Sequence, residues 1–291
     1  MTNNLFFIYL KLPAELGKIR ISIPVALTTF TGYILSKGAI DQGVILPTLG
    51  IFLLASGASS LNQVQEKDLD ILMQRTLHRP IPSGRITASA ALVISAIFFI
   101  TGSLILGFGV GWLPLSIGLA TFIWYNGIYT YLKRYTAFAI IPGSVVGALP
   151  PLVGWTAAGG LLNHPGVIML AFFFFIGQIP HFWLILLKCG KEYEKAGFPS
   201  ITFIFTPTQI KRLTFTWIVA TSVSAMLLHP FGIIRSTWGG WILMVLALAL
   251  VLSFSNLIRK HREELKVKVS FIKINIFYLL LMILMCIDRL A

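Results

Sequence analysis

The fold class this sequence predicts is an all-α integral membrane protein, about nine transmembrane helices in one bundle, and three observations predict it. Of 291 residues, 56% are hydrophobic and 11% are charged, whereas soluble domains carry roughly a quarter charged residues. The mean hydropathy is +0.85. The apolar residues fall in runs of roughly 20, the length of a helix that crosses a bilayer, with Gly and Pro inside them. Membrane helices tolerate both, and the runs are too long for barrel strands.

In order, the runs lie near 20–37, 43–63, 86–107, 112–131, 137–158, 166–187, 213–231, 237–256 and 271–287. Pro142, Pro150 and Pro151 interrupt the fifth, so a broken helix is expected there. One polytopic domain covers 1–291, with polar connectors near 62–85 and 188–212. Lys11, Glu15, Lys18 and Arg20 open the chain without a small-residue cleavage site, so no cleavable signal peptide is read. An Arg- and Ser-rich organelle-targeting pattern is lacking too, which points to a bacterial source. Cys189 and Cys286 fit neither a disulfide framework nor metal ligation at CxxC spacing.

Charge follows topology. All but three of the 23 basic residues fall in the N-terminal segment and in the connectors after spans 2, 4, 6 and 8. The exceptions are Lys37, Arg235 and Arg289. The positive-inside rule then makes the rich side cytoplasmic, with the N-terminus in and the C-terminus out, at a bacterial cytoplasmic (inner) membrane. The net charge of +13 is thereby explained without nucleic acid. Acids segregate as well: all but Asp41 and Asp288 of the ten lie on the basic side. The rule is silent about acids, so their place needs another cause, and long loops on a rigid scaffold are where function concentrates.

The stretch Leu61-Asn62-Gln63-Val64-Gln65-Glu66-Lys67-Asp68-Leu69-Asp70 carries that cause. If it is helical, Asn62, Glu66 and Asp70 stack at i, i+4 and i+8 on one face. An amide oxygen and two carboxylates suit a hard divalent ion such as Mg²⁺, which keeps waters and takes remaining ligands from substrate phosphate. Arg75, Arg79 and Arg85 follow closely and suit the same phosphate. A solvated charged loop is the plainer alternative.

The second acidic connector follows Gly177-Gln178-Ile179-Pro180-His181. If the helix continues past Pro180, then His181, Lys188 and Glu192 fall close to one face. Lys188 would hold phosphate and Glu192 a second cation, while Glu194 reads equally well as a surface charge. His181 sits just inside the apolar boundary, where an ionisable group is a functional candidate. Lys133 and Arg134 close span 4 beside Tyr125, Tyr129 and Tyr131. Lys133 and Arg134 read as topology anchors, and the tyrosines as an interfacial aromatic belt or as an aromatic face that stabilises a developing cation. His78 sits in the first acidic connector, and the basic run about His261 suits anionic lipid.

Asn62-x-x-x-Glu66-x-x-x-Asp70 resembles the first aspartate-rich motif of the UbiA-type intramembrane prenyltransferases. Three further blocks resemble their protoheme IX farnesyltransferase (heme O synthase) branch. These are Asp68-Leu69-Asp70 through Arg75-Thr76, Arg79-Pro80 and Gly84-Arg85; Tyr129-Thr130 with Leu132-Lys133-Arg134 on to Gly147-Ala148-Leu149-Pro150-Pro151-Leu152 and Gly154-Trp155; and Pro180-His181-Phe182 with Glu192-Tyr193 and Ala196-Gly197. Glu66 and Glu192 stand where the family usually has Asp. Phe198-Pro199-Ser200-Ile201 replaces a Pro-Met-Leu-Pro-like run.

The resemblance implies Mg²⁺-dependent transfer of a farnesyl group from farnesyl diphosphate to a vinyl group of protoheme IX, giving heme O and diphosphate. Asn62, Glu66, Asp70 and Glu192 would hold metal, and Arg75, Arg79, Lys133 and Lys188 the diphosphate. His181, Tyr129 and Tyr125 would face the acceptor or the carbocation. It also implies the lipid bilayer as the route for both substrates and a link to a heme A synthase or terminal oxidase. A quinone precursor or another polycyclic ring is the rival acceptor. A polytopic transporter is the rival from another class, with charges expected at mid-depth rather than at one face.

Overall fold

Chain inside a bilayer must satisfy its own backbone hydrogen bonds. In the computed structural model it does so as helices throughout the described residues, 11–259 and 266–291; the side chains at 185, 186, 188, 189, 191, 193, 258 and 259 lie outside the description. His261 lies outside it too. The long helices are α1 (Ile19–Lys37), α2 (Ile45–Gln65), α3 (Ala88–Gly109), α4 (Trp112–Ile123), α5 (Pro150–Ala157), α6 (Pro165–Lys195), α7 (Pro207–Met226), α8 (Thr237–Phe254) and α9 (Val267–Leu290).

Among the described residues, seven segments are long and apolar enough to cross a membrane: 19–37, 42–65, 88–109, 137–157, 165–184, 237–254 and 267–290. The other two expected spans are helical but do not reach that standard. The fourth breaks after Ile123 into a π turn, Trp124–Tyr129, and a short helical end, Thr130–Leu132. The seventh, α7, begins with Lys211 and Arg212 in its first turns and is the more polar for it. The segment holding Pro142, Pro150 and Pro151 is broken as expected, into Ile140–Gly143, Val145–Ala148 and α5.

Two other expectations need correcting. Asn62 to Asp70 is not one helix: α2 ends at Gln65, Glu66 leaves helical geometry at φ −105° and ψ 6°, and a single turn, Lys67–Asp70, follows. The vertical stack survives because Glu66 N–H still donates to Asn62 O at 3.0 Å and Asp70 N–H to Glu66 O at 2.8 Å. The second connector is also shorter than 188–212. α6 runs through Pro180 to Lys195, and α7 begins at Pro207, so the loop proper is 196–206. Gly197 turns it at φ 77°, the left-handed conformation that ends a helix most easily with glycine.

The largest core packs α6, α7, α8 and α9 around Phe173, Phe174, Ile218, Leu243 and Leu281. α3 turns Val93, Ile97, Ile100, Leu104 and Phe108 outward, the apolar exposure a lipid-facing helix needs. α1 and α5 touch backbone to backbone: a methyl on Gly154 would meet Thr29 O at 1.8 Å, and one on Gly32 would meet Pro151 O at 2.0 Å. Small residues permit such approaches between membrane helices, where apolar burial alone supplies little attraction. Gly154→Ala should therefore destabilise the protein by about 1–3 kcal/mol, read as thermal unfolding in detergent. Gly127→Ala, whose added methyl meets Ile123 at an ordinary 3.8 Å, should change little.

Candidate active site

One end of the bundle collects the N-terminal segment, the connector after α2, the end of the α4 segment and the loop after α6. Glu15 pairs with Arg85 at 2.7 Å, and the Gln63 side-chain amide donates to Leu16 O at 2.9 Å. Arg134 donates to Gln65 O at 2.8 Å. Gln65 and Asn126 exchange hydrogen bonds: Gln65 Nε2 donates to Asn126 O and Asn126 Nδ2 donates to Gln65 Oε1, both at 3.1 Å.

Within this frame Asn62, Glu66 and Asp70 are buried, at 1%, 5% and 0% exposure. Each meets a different cation. Lys18 Nζ donates to Asn62 Oδ1 at 3.1 Å, the Lys133 ammonium pairs with Glu66, and Arg79 Nη1 donates to both oxygens of Asp70 at 2.8 and 2.6 Å. Asn62 Nδ2 donates to Thr130 Oγ1 at 3.2 Å, which aims the amide oxygen at the cations. The expected trio is thus assembled with two of the four expected phosphate groups, Arg79 and Lys133.

The electrostatics follow from that crowding. Loss of hydration pushes the Lys18 ammonium down to about 7, and the Arg79 and Lys133 charges push it the same way. Burial works against ionisation of Glu66, yet the Lys133 ammonium, with Lys18 and Arg79, outweighs it and holds the carboxyl below its ordinary range. At Asp70 burial wins over the Arg79 guanidinium, and the carboxyl sits above its ordinary range.

The donor set fits a hard cation: one amide and two carboxylate oxygens, stacked, buried and already holding positive charge. Among the described residues no three His, Cys, Asp or Glu side chains group tightly enough to hold a metal by themselves. An ion here would complete its shell with water and substrate oxygens, as Mg²⁺ does.

Glu192 lies elsewhere. Its Oε2 accepts the backbone N–H of Arg75 at 3.0 Å, which ties the two acidic connectors together, and Met73, Ala196 and Phe198 pack beside that bond with Leu69. Glu192 therefore clasps the first connector, and its described hydrogen bond is to that connector rather than to a shared metal set. Arg75 has its side chain exposed; only its amide faces inward. The Lys188 side chain lies outside the described residues. Glu194 accepts from the Thr202 hydroxyl, and His78 is exposed, its carbonyl taken by Arg85 at 2.6 Å.

The aromatic residues form a continuous line. Tyr125 stacks on Tyr129 at 5.7 Å, Tyr129 meets Phe182 at 6.0 Å, Phe182 meets His181 at 5.9 Å, and His181 meets Phe271 at 4.6 Å. Lys133 Nζ lies 5.7 Å from the Tyr129 ring and 6.0 Å from that of Phe198. His181 Nδ1 is buried with no protein partner. A cleft of about 20 Å³, lined by Tyr129, Lys133, Ile140 and Pro199 among others, opens beside this line and has room for roughly one water. Sequence reasoning missed Lys18, Thr130 and the Gln65–Asn126 pair. Lys18 is the one described non-glycine residue with positive φ, 46°, but nothing in its local sequence sets it apart from any N-terminal topology lysine.

Comparison with known proteins bears on the whole chain. The sequence model of the UbiA prenyltransferase family matches residues 25–280. A protoheme IX farnesyltransferase of Nitratidesulfovibrio vulgaris (strain Hildenborough) is 34% identical over 278 residues, 96% of this chain and 95% of that one. One from Geobacter sulfurreducens is 37% identical, over 78% of this chain and 83% of its own. Among solved structures, a digeranylgeranylglyceryl phosphate synthase superposes with a TM-score of 0.77 at 16% identity, covering 97% of this chain and 98% of that one. A UbiA homologue of Archaeoglobus fulgidus bound to GPP and Mg²⁺ gives 0.71 at 13% identity, covering 96% and 99%. Both share the fold.

Two measurements check the site. Below pH of about 7 the folded protein buries a charged Lys18, a cost the unfolded chain does not bear. From there towards the ordinary lysine value of 10.5 the unfolded state binds the extra proton, so stability rises with pH. Thermal unfolding of metal-free protein should show this rise, and Lys18→Met should lose it; an unchanged pH dependence would show that the lysine is not buried. Glu192→Ala should speed amide hydrogen exchange at Arg75 and its neighbours while global stability falls by no more than about 1 kcal/mol.

Proposed function

The chain belongs to the UbiA prenyltransferase family, and from that premise we propose that it transfers the farnesyl group of farnesyl diphosphate to a vinyl group of protoheme IX, giving heme O and diphosphate. The observation that carries the chemistry is the buried Asn62–Glu66–Asp70 trio, each member matched to its own cation at one end of an apolar bundle. The acceptor rests on the names of the relatives that match most of the chain.

Mg²⁺, held by Asn62, Glu66 and Asp70, would neutralise charge on the departing diphosphate; a second ion at Glu192 fits less well, because that carboxylate is spent on Arg75 N–H. Arg79 and Lys133 would exchange carboxylate for diphosphate oxygens, Arg79 from the one Nη1 that now donates to both oxygens of Asp70. Lys18 adds a third positive group within the same cluster. Arg75, from the connector after α2, and Lys188, from the last turns of α6, would join once diphosphate is bound. Charge stabilisation on the leaving group lets the allylic C–O bond break without a strong base. The faces of Tyr125 and Tyr129 then suit the allylic cation, and exclusion of water protects it from hydrolysis.

Attack by the vinyl carbon makes the new C–C bond, and water adds to the cation left on the porphyrin side chain. His181, with its free Nδ1 on the aromatic line, is the residue to orient the porphyrin. The cleft beside Tyr129 has room for about one water, so it must widen before either substrate enters from the bilayer. The site end is taken as cytoplasmic in a bacterial inner membrane, and the product as passing to a heme A synthase or terminal oxidase.

Cells with and without the protein should differ in one extractable species, the farnesylated heme. If a prenylated quinone precursor changes instead and heme O does not, the acceptor is wrong while the prenyl transfer stands. Asp70→Ala should lower turnover by about 10²–10³-fold or more while the protein still inserts, measured with labelled farnesyl diphosphate in isolated membranes. Near-normal turnover of that variant in added magnesium would remove Asp70 from the site.

A further inference from the structure

The end of the bundle opposite the acidic trio is almost bare of charge, and what charge it has is concentrated. Lys37, Arg235 and Arg289 are the three basic residues there. Lys37 is accounted for by Asp41, 3.5 Å away. The other two line one cleft of about 500 Å³, together with Leu35, Trp155, His164 and Ile233. That volume is in the range of small-ligand sites.

The arginines have no acid of their own. Asp288, buried at 6% exposure, spends both oxygens locally: Oδ2 accepts Arg235 N–H at 2.6 Å, and Oδ1 accepts Ser236 N–H at 3.1 Å and the Ser236 hydroxyl. Neither guanidinium has an ion pair among the described residues. Arg289 makes one long bond, Nη2 to Ser36 O at 3.4 Å, and its Nε is buried with no partner. A buried guanidinium N–H left unsatisfied is costly, so a ligand that accepts from it gains more than a surface charge could offer. His164 accepts Gly166 N–H at Nδ1, 3.0 Å, which puts its own proton on Nε2 as a further donor.

We propose that this cleft binds the phosphate headgroup of an anionic phospholipid at the face opposite the reaction. Two guanidiniums with donor N–H groups suit phosphate oxygens. The walls formed by Leu35, Trp155 and Ile233 suit the glycerol and first methylenes of a lipid rather than a fully hydrated ion. Such a site would anchor α1, α6, α8 and α9 at the end where they lack the cation clusters that fix the other.

The test is native mass spectrometry of the full-length protein with phosphatidylglycerol or phosphatidylcholine added, paired with thermal unfolding in inorganic phosphate. Wild type should retain phosphatidylglycerol about tenfold better, a difference of about 1.4 kcal/mol, and the Arg235→Gln/Arg289→Gln protein should lose the preference while its prenyl transfer is unchanged. Lys37→Gln, at the same end but outside the cleft, should keep it. If the double variant does not fold, Arg235→Gln alone serves, since that side chain is exposed, and it should lose several-fold. Stabilisation by inorganic phosphate that vanishes in the variant would also support the site and identify the phosphate group as what is recognised. A preference that survives both substitutions, or no preference and no phosphate effect in wild type, overturns the proposal.

Discussion

Charge buried at the end of an apolar bundle must be neutralised where it stands, and the rest of this molecule is arranged around that requirement. Asn62, Glu66 and Asp70 come from nine consecutive residues, yet their partners come from three separate regions: Lys18 before α1, Lys133 after the π turn, and Arg79 from the connector itself. Buried ion pairs contribute little net stability, since desolvation cancels much of their attraction, but losing one partner is severe. What the pairs secure is position. Three chain segments that would otherwise be free at a membrane surface are fixed relative to one stack of oxygens.

Position is also what ionic chemistry on a lipid diphosphate needs. The same cations that hold the carboxylates have the charge, and Arg79 the fork, to hold a diphosphate. On the proposed reading, the free protein stores the groups that would bind substrate on those that would bind metal. Glu192 on Arg75 N–H and the packing of Met73 against Phe198 tie the end of α6 to the connector after α2.

Much of this could be seen in the residues alone. A bilayer imposes a length on apolar runs, so the helices were readable, and basic residues report sidedness. The i, i+4, i+8 spacing of Asn62, Glu66 and Asp70 held although the helix breaks at Glu66, because both i to i−4 hydrogen bonds persist. What could not be seen depends on contacts between distant segments. Lys18 looks like any topology lysine until Asn62 is placed beside it. Gln65 and Asn126 find each other across 61 residues. Glu192 has the composition of a metal ligand, and only the approach of the connector shows its oxygen turned to Arg75 N–H. Two of the nine expected spans miss the standard of length and apolarity for a related reason: the π turn and the charged start of α7 depart from a continuous apolar run.

That π turn, Trp124–Tyr129, has a wider bearing. Thr130 Oγ1 reaches back five residues to Tyr125 O at 2.9 Å, and the extra residue rotates all that follows by about 100° relative to an uninterrupted helix. Asn126 can then face α2 while Lys133 faces Glu66. The length of this stretch therefore cannot change by even a single codon without dialling Lys133 and Thr130 to the wrong hour of the clock, and a chain one letter longer or shorter would carry them past the oxygens they meet.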